Sequence, residues 1–173
     1  MMNEVFSPAN VPPFYQGYVG HSKNYRIDEA LQIADEKRSS LVTSIPEALG
    51  TYAYADGKWT IKEVLTHMMD AERVFCYRAL CFSRKDPTPL PGFDENHFVP
   101  HSNAHARTIK EIAEAMSRLR MTTRDLFNSF TEEMLDLEGE ANKTRLSVRA
   151  IGYIIAGHEL HHLSILNERY LKQ

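Results

Sequence analysis

The chain has 173 residues, 43% of them hydrophobic, with 20 basic against 23 acidic residues and a formal net charge of −3 at pH 7. This length and composition predict one domain with a sizeable core. The charge balance leaves no basic face for nucleic acid, and no apolar run approaches the length of a membrane span, about 20 residues. We therefore expect neither a nucleic-acid partner nor a membrane partner.

The first part of the chain shows no helical signal. Residues 1–26 contain three prolines, three tyrosines and no sustained hydrophobic period, which predicts an irregular N-terminal arm whose aromatic rings anchor it to the rest of the molecule. Its beginning lacks the basic residues and apolar run of a secretion signal. Cys76 and Cys81 lie about 140° apart around one predicted helix, which favours reduced thiols. These features predict a cytoplasmic protein.

Four segments have the hydrophobic period of amphipathic helices. In chain order they cover residues 27–45, 60–83, 107–130 and 148–171. Local signals mark the boundaries: Pro46 ends the first helix, Thr60 and Glu63 form a capping box for the second, and Ser147 caps the last.

A long proline-rich connection separates the second and third helices. Residues 84–105 contain aromatic and acidic side chains, which favours an ordered cover over one end of the helices. Residues 139–145 are predicted to be a loop, and no segment alternates like a strand. The sequence therefore predicts an all-α fold over residues 27–173, an antiparallel four-helix bundle with a long crossover loop between helices 2 and 3.

Three histidines occupy predicted core positions. His67 lies on the second helix, while His158 and His162 lie four residues apart on one face of the last. That face forms an inward stripe of Ile151, Ile155, His158, His162 and Ile165. Buried ring nitrogens need partners. The pattern indicates either a three-histidine metal site or hydrogen-bonded core histidines, and the residues alone leave both interpretations open.

If a metal ion is bound, three imidazoles leave a coordination position for water or substrate, as in catalytic rather than structural zinc sites. The ion could lower the pKa of bound water or bind and deprotonate a thiol. Asp70, one turn beyond His67, is the candidate catalytic carboxylate. Glu159 and His161 flank the other ligands and could also support them, although a solvated helix face is the alternative for both carboxylates.

Two further groups are weaker candidates. His97, His101 and His105 also repeat at a spacing of four, but Pro100 makes one continuous helix through them unfavourable. Arg78 lies eleven residues after His67 on the same helix face. It could hold an anionic substrate group or pair with an acidic residue of another helix.

Two motifs resemble the DinB/YfiT-like superfamily, in its DinB-like branch. Residues 58–73 (KWTIKEVLTHMMDAER) closely resemble its second-helix signature, and residues 158–166 (HELHHLSIL) look like its second motif. The intervening PGFD of residues 91–94 also fits the branch. The similarity extends over nearly the whole chain after about Tyr25, with the motifs in the family's order.

This resemblance implies a four-helix bundle in which His67, His158 and His162 ligate a divalent ion, zinc or nickel. Members of the family include bacillithiol transferases and mycothiol-dependent maleylpyruvate isomerases, so it also implies a small-molecule partner, either a thiol or another small substrate, and makes a homodimer plausible. Three functions remain: a metal-dependent thiol transferase assisted by Asp70 or a loop carboxylate, a hydrolase using metal-bound water, and a non-catalytic metal-binding bundle of a stress response.

Overall fold

The structure, a computed structural model, describes residues 6–172. Its helices are α1 (Pro13–Ser22), α2 (Ile27–Thr43), α3 (Ile61–Ser83), α4 (Glu95–Phe98), α5 (Ile109–Asn128), α6 (Glu132–Leu135) and α7 (Val148–Ile165), and its strands are β1 (Glu138–Ala141) and β2 (Thr144–Ser147). Helices α2, α3, α5 and α7 form the bundle. This confirms the predicted all-α four-helix bundle with its long crossover between the second and third bundle helices. Within residues 6–172, no helix is long and apolar enough to cross a membrane.

Helix α7 is the centre of the molecule. It packs against α1, α2 and α3, and almost every side chain from Val148 to Glu159 is buried. A helix that is apolar around its whole circumference must be covered on all sides. Ser147 caps it as predicted, accepting a hydrogen bond from the Ala150 amide at 3.0 Å, and Leu166–Leu171 continues it with π-helical hydrogen bonding.

Capping boxes fix the starts of two bundle helices. In the predicted box, the Thr60 amide donates to the Glu63 carboxylate at 2.8 Å, and the Glu63 amide donates back to the Thr60 hydroxyl. Thr108 and Glu111 make the same exchange, with the Thr108 amide donating at 2.8 Å. This second box starts α5 at Ile109, two residues later than the predicted 107.

The prediction of an irregular N-terminal arm is wrong for Pro13–Ser22, which form α1. Proline suits the first position of a helix because it has no amide hydrogen to leave unpaired. Gly17 and Gly20 disfavour a helix by propensity. Tertiary packing overrides this, since the backbone of Tyr18 lies directly against Gly157 of α7. Residues 1–5 of the arm lie outside the described range, and the domain boundary after residue 26 stays a prediction.

The predicted loop at residues 139–145 is also wrong, because β1 and β2 form an antiparallel hairpin. Asn142 and Lys143, the two turn residues, have φ angles of 52° and 59°. Two left-handed residues give the tight turn whose twist suits paired strands. Ala141 and Leu146 are buried, so the hairpin closes one end of the core. The missing glycine explains why the turn gave no clear sequence signal.

The crossover between α3 and α5 is ordered, as predicted. Leu90 donates its amide to the Glu140 carbonyl at 2.9 Å, which ties the crossover to the hairpin. Asp94 caps the short helix α4, and Val99 and Ala104 are buried in the two 3-10 turns that follow. The crossover therefore runs from the hairpin across α3 toward the histidines.

Candidate metal centre

The three predicted histidines converge at one point between α3 and α7. The Nε2 atom of His158 lies 3.2 Å from Nε2 of His67 and 3.1 Å from Nε2 of His162. One ligand atom from each ring falls within 4.8 Å of the others. The i, i+4 spacing places His158 and His162 on one face of α7, and the packing of α3 brings His67 opposite them.

This spacing fits a metal ion better than a hydrogen-bonded cluster. Tetrahedral ligands at a Zn–N distance of about 2.0–2.1 Å are separated by about 3.3 Å, close to both separations from His158. In a neutral ring, Nε2 of His158 either donates or accepts a single hydrogen bond, but two other ring nitrogens lie next to it. A hydrogen-bonded cluster therefore satisfies only one of the two neighbours. A cation accepts lone pairs from all three rings at once.

Burial keeps these imidazoles neutral, which is the form that binds metal. Desolvation lowers the pKa of His67 to about 4 and that of His162 to about 3. The pKa of His158 also lies well below its usual value, first through burial and then through the neighbouring histidines. Three neutral donors are therefore present at physiological pH without any proton to displace.

Aromatic rings shield the site. The Trp59 ring lies 4.8 Å from that of His67, and the Tyr18 ring lies 5.3 Å from those of both His158 and His161. His162 is only partly buried, so a small molecule can approach from its side. The predicted anchoring by aromatic rings of the arm did not identify Tyr18 as a neighbour of the site, because α1 itself was not predicted.

The other candidate residues lie elsewhere. Asp70 forms an ion pair with Arg73 at 3.0 Å, and no described contact joins it to the three histidines. His97 and His101 form an exposed ring pair of their own. Burial is the larger influence on two groups of the centre, since it lowers the pKa of His67 and raises that of Tyr18. A different carboxylate, Glu95 of α4, acts on both electrostatically and raises both pKa values.

Glu159 is neither a solvated residue nor a contact of the histidines. Its carboxylate lies 2.9 Å from Nε of Arg38 and 2.6 Å from Nη2 of Arg120. Arg120 also pairs with Glu72 of α3 at 2.9 Å, and all four side chains are buried. Sequence reasoning missed this network because its charges come from four different helices. It joins the two helices that carry the histidines.

Residues 30–166 match the family model of the DinB superfamily. The chain belongs to the DinB superfamily. Among solved structures, this DinB-superfamily chain is similar to YfiT from Bacillus subtilis, which is described as a probable metal-dependent hydrolase with an unusual four-helix bundle topology. That match has a TM-score of 0.72 and 15% identity, over 84% of this chain and 85% of YfiT. No curated protein sequence matches the chain significantly.

Proposed function

We propose that the protein binds a divalent metal ion, zinc or nickel, through His67, His158 and His162, and transfers a low-molecular-weight thiol to an electrophile. The convergence of three neutral imidazole nitrogens, two of them on buried residues and one on the partly buried His162, carries this proposal. A bound divalent ion would supply Lewis acidity, which lowers the pKa of a thiol or water at the open position. The thiol assignment rests on the resemblance to thiol-dependent DinB-like transferases.

The residues around the histidines have distinct roles in this proposal. Trp59 and Tyr18 exclude water from the buried side of the centre, which strengthens electrostatic interactions there. Glu95 lies close enough to act electrostatically on His67 and accepts the proton that the incoming thiol loses. Asp70 is held by Arg73, so its predicted catalytic role is the weaker of the two and stays a prediction.

A metal-dependent hydrolase is the second candidate. The description of YfiT as a probable metal-dependent hydrolase favours it, and the same three ligands would serve it. In that case water takes the place of the thiol, and Glu95 accepts a proton from it. A cytoplasmic location and a homodimer remain predictions.

Metal analysis of untagged protein, purified without added metal, tests the ligand set. We expect about one zinc or nickel per chain in the wild type, a sharp loss in His162→Ala, and no loss in His101→Ala, which removes an exposed imidazole outside the centre. Equal metal content in the two variants, or no metal in the wild type even after reconstitution, would refute the proposal.

The reaction is tested with the metal-loaded protein, a thiol (bacillithiol, glutathione or coenzyme A) and an electrophile. We expect thiol consumption above a metal-free control, with about a 10²-fold or greater loss in Glu95→Gln and a smaller loss in Asp70→Asn. If no thiol reacts but esters or amides are hydrolysed, the hydrolase is supported instead. Metal without either activity supports the non-catalytic bundle.

A further inference from the structure

Arg78 is a buried cation on the side of α3 that leads to the metal centre. Arg78 is only 3% exposed. It follows His67 by eleven positions, so it lies near the same face of α3, about 16 Å farther along the helix axis. Its guanidinium lies over the Phe75 ring, 5.5 Å from the centroid. Phe75 is one turn nearer to His67, so the charged end points back toward the centre.

Among the residues that the structure describes, no carboxylate pairs with this guanidinium. Within residues 6–172, the contacts of the guanidinium are the Pro91 carbonyl, which accepts from Nη2 at 3.1 Å, the rings of Phe75 and Phe93, and the Tyr15 phenol. Burial accordingly lowers the pKa of Arg78. The alternative of an acidic partner from another helix, which the sequence left open, is therefore not what the structure shows.

The two other buried arginines both form ion pairs with buried carboxylates. Arg38 pairs with Glu159 at 2.9 Å, and Arg120 pairs with both Glu72 and Glu159. An unpaired buried charge is costly, so cores retain one rarely without a compensating group. A guanidinium offers five donors in a planar fork, and the Pro91 carbonyl takes up only one donor of Arg78. None of the Arg78 nitrogens is a fully enclosed atom without a partner, so the remaining donors are open to a ligand or water.

Residues of α1 and of the crossover link the surroundings of Arg78 to those of the histidines. On α1, Tyr15 contacts Phe75 and Tyr18 contacts His158, with ring centroids 6.1 Å and 5.3 Å apart. On the crossover, Phe93 lies over Arg78, and Glu95, two residues later, acts on His67. A small molecule bound at the ion and lying along these residues would place its far end at Arg78.

We propose that Arg78 is an anion-binding subsite that holds a carboxylate of the substrate while the substrate's thiol lies at the metal centre. The inference rests on the proposed function, since it names the substrate as a carboxylated thiol. The carboxylate would replace the Pro91 carbonyl on Nη2 and take a second donor, as in bidentate arginine–carboxylate pairs. Tyr15 would hold the guanidinium in place.

The test compares glutathione with its diethyl ester, in which both carboxylates are capped. Binding to cobalt-loaded protein is followed by thiolate-to-cobalt charge-transfer absorbance. We expect the wild type to bind glutathione about 10- to 100-fold more tightly than the diester. Arg78→Met should abolish the preference and Arg78→Lys should weaken it, while Arg84→Gln, which removes an exposed arginine at the end of the same helix, should retain it.

Several results would overturn the subsite. One is equal affinity of glutathione and the diester for the wild type, and another is an unchanged preference in a folded Arg78→Lys or Arg78→Met protein. Competition by succinate supports a carboxylate, whereas competition by inorganic phosphate alone contradicts it. If neither thiol produces the absorbance, the thiol function fails, and calorimetry with succinate still decides the subsite: binding lost in the Arg78 variants supports it, and no binding overturns it.

Discussion

Gly157 sets the distance between α1 and α7, and Gly157→Ala should therefore disturb both stability and the centre. A Cβ at this position would overlap the carbonyl oxygen of Tyr18 and lie 2.5 Å from its carbonyl carbon, where ordinary contacts begin at 3.4 Å. The obstructing atoms are backbone, so no rotamer change relieves the clash. Helix α1 must retreat by about 1 Å, and the Tyr18 ring moves with it.

The expected cost follows from two opposing effects. Overpacking of this kind costs about 1–3 kcal/mol, and a rigid backbone neighbour places the change at the upper end. The higher helix propensity of alanine stabilises a helix interior by up to about 1 kcal/mol relative to glycine. We expect a net destabilisation of about 1–2 kcal/mol. Gly20→Ala is the matched control, because a Cβ there meets nothing within 4 Å and should be neutral or stabilising.

Urea unfolding followed by circular dichroism measures both free energies of unfolding, and amide hydrogen exchange reports whether α1 loses protection before the bundle does. Weaker metal binding in Gly157→Ala should accompany the loss, since Tyr18 shields His158. Unchanged stability and unchanged protection of residues 13–22 in Gly157→Ala would show that α1 does not depend on this close approach.

Two further predictions concern buried charge. Because burial lowers the pKa of His67 to about 4 and that of His162 to about 3, the unfolded state, with a histidine pKa near 6.5, binds more protons at acidic pH. As the pH falls from about 7.5 to 5.5, the free energy of unfolding of the metal-free wild type should therefore decrease by about 2–3 kcal/mol more than that of a His67→Leu, His162→Leu double variant. An equal decrease in the two proteins would contradict this linkage. Arg120→Met removes the ion-pair partner of Glu72 and leaves Glu159 with Arg38 alone, so it should cost about 3–5 kcal/mol. Arg124→Met, whose pair with Asp28 is partly exposed, should cost less than about 1 kcal/mol, and similar values for the two variants in urea unfolding would refute the contrast.

The sequence predicted the bundle because its signals are local. Hydrophobic period and capping residues such as Thr60 and Ser147 act within a few positions, and the structure places both caps as expected. Helix α1 escaped prediction for the opposite reason. Its stability comes from contact with α7, more than a hundred residues away, and its own glycines speak against a helix.

In the candidate site too, the residues set by local spacing could be predicted, whereas those that depend on tertiary contacts could not. The i, i+4 pair and its third histidine could be read from spacing, and the structure brings their nitrogens together. The shielding by Tyr18 and the electrostatic effect of Glu95 depend on how α1 and the crossover fold back over α3. Such contacts join segments without any shared period. A carboxylate could only be assigned by its distance in sequence, and Asp70 is the nearest one to His67.

The buried ion network positions the two helices that supply the three histidines. Glu159 follows His158 directly on α7, and Glu72 lies five residues after His67 on α3. Arg120 of α5 holds both carboxylates, so one guanidinium sets the separation of the two helices that supply the ligands. This separation places the nitrogens of His67, His158 and His162 close together. Binding of the proposed ion would then add stability to helices that this network already holds together.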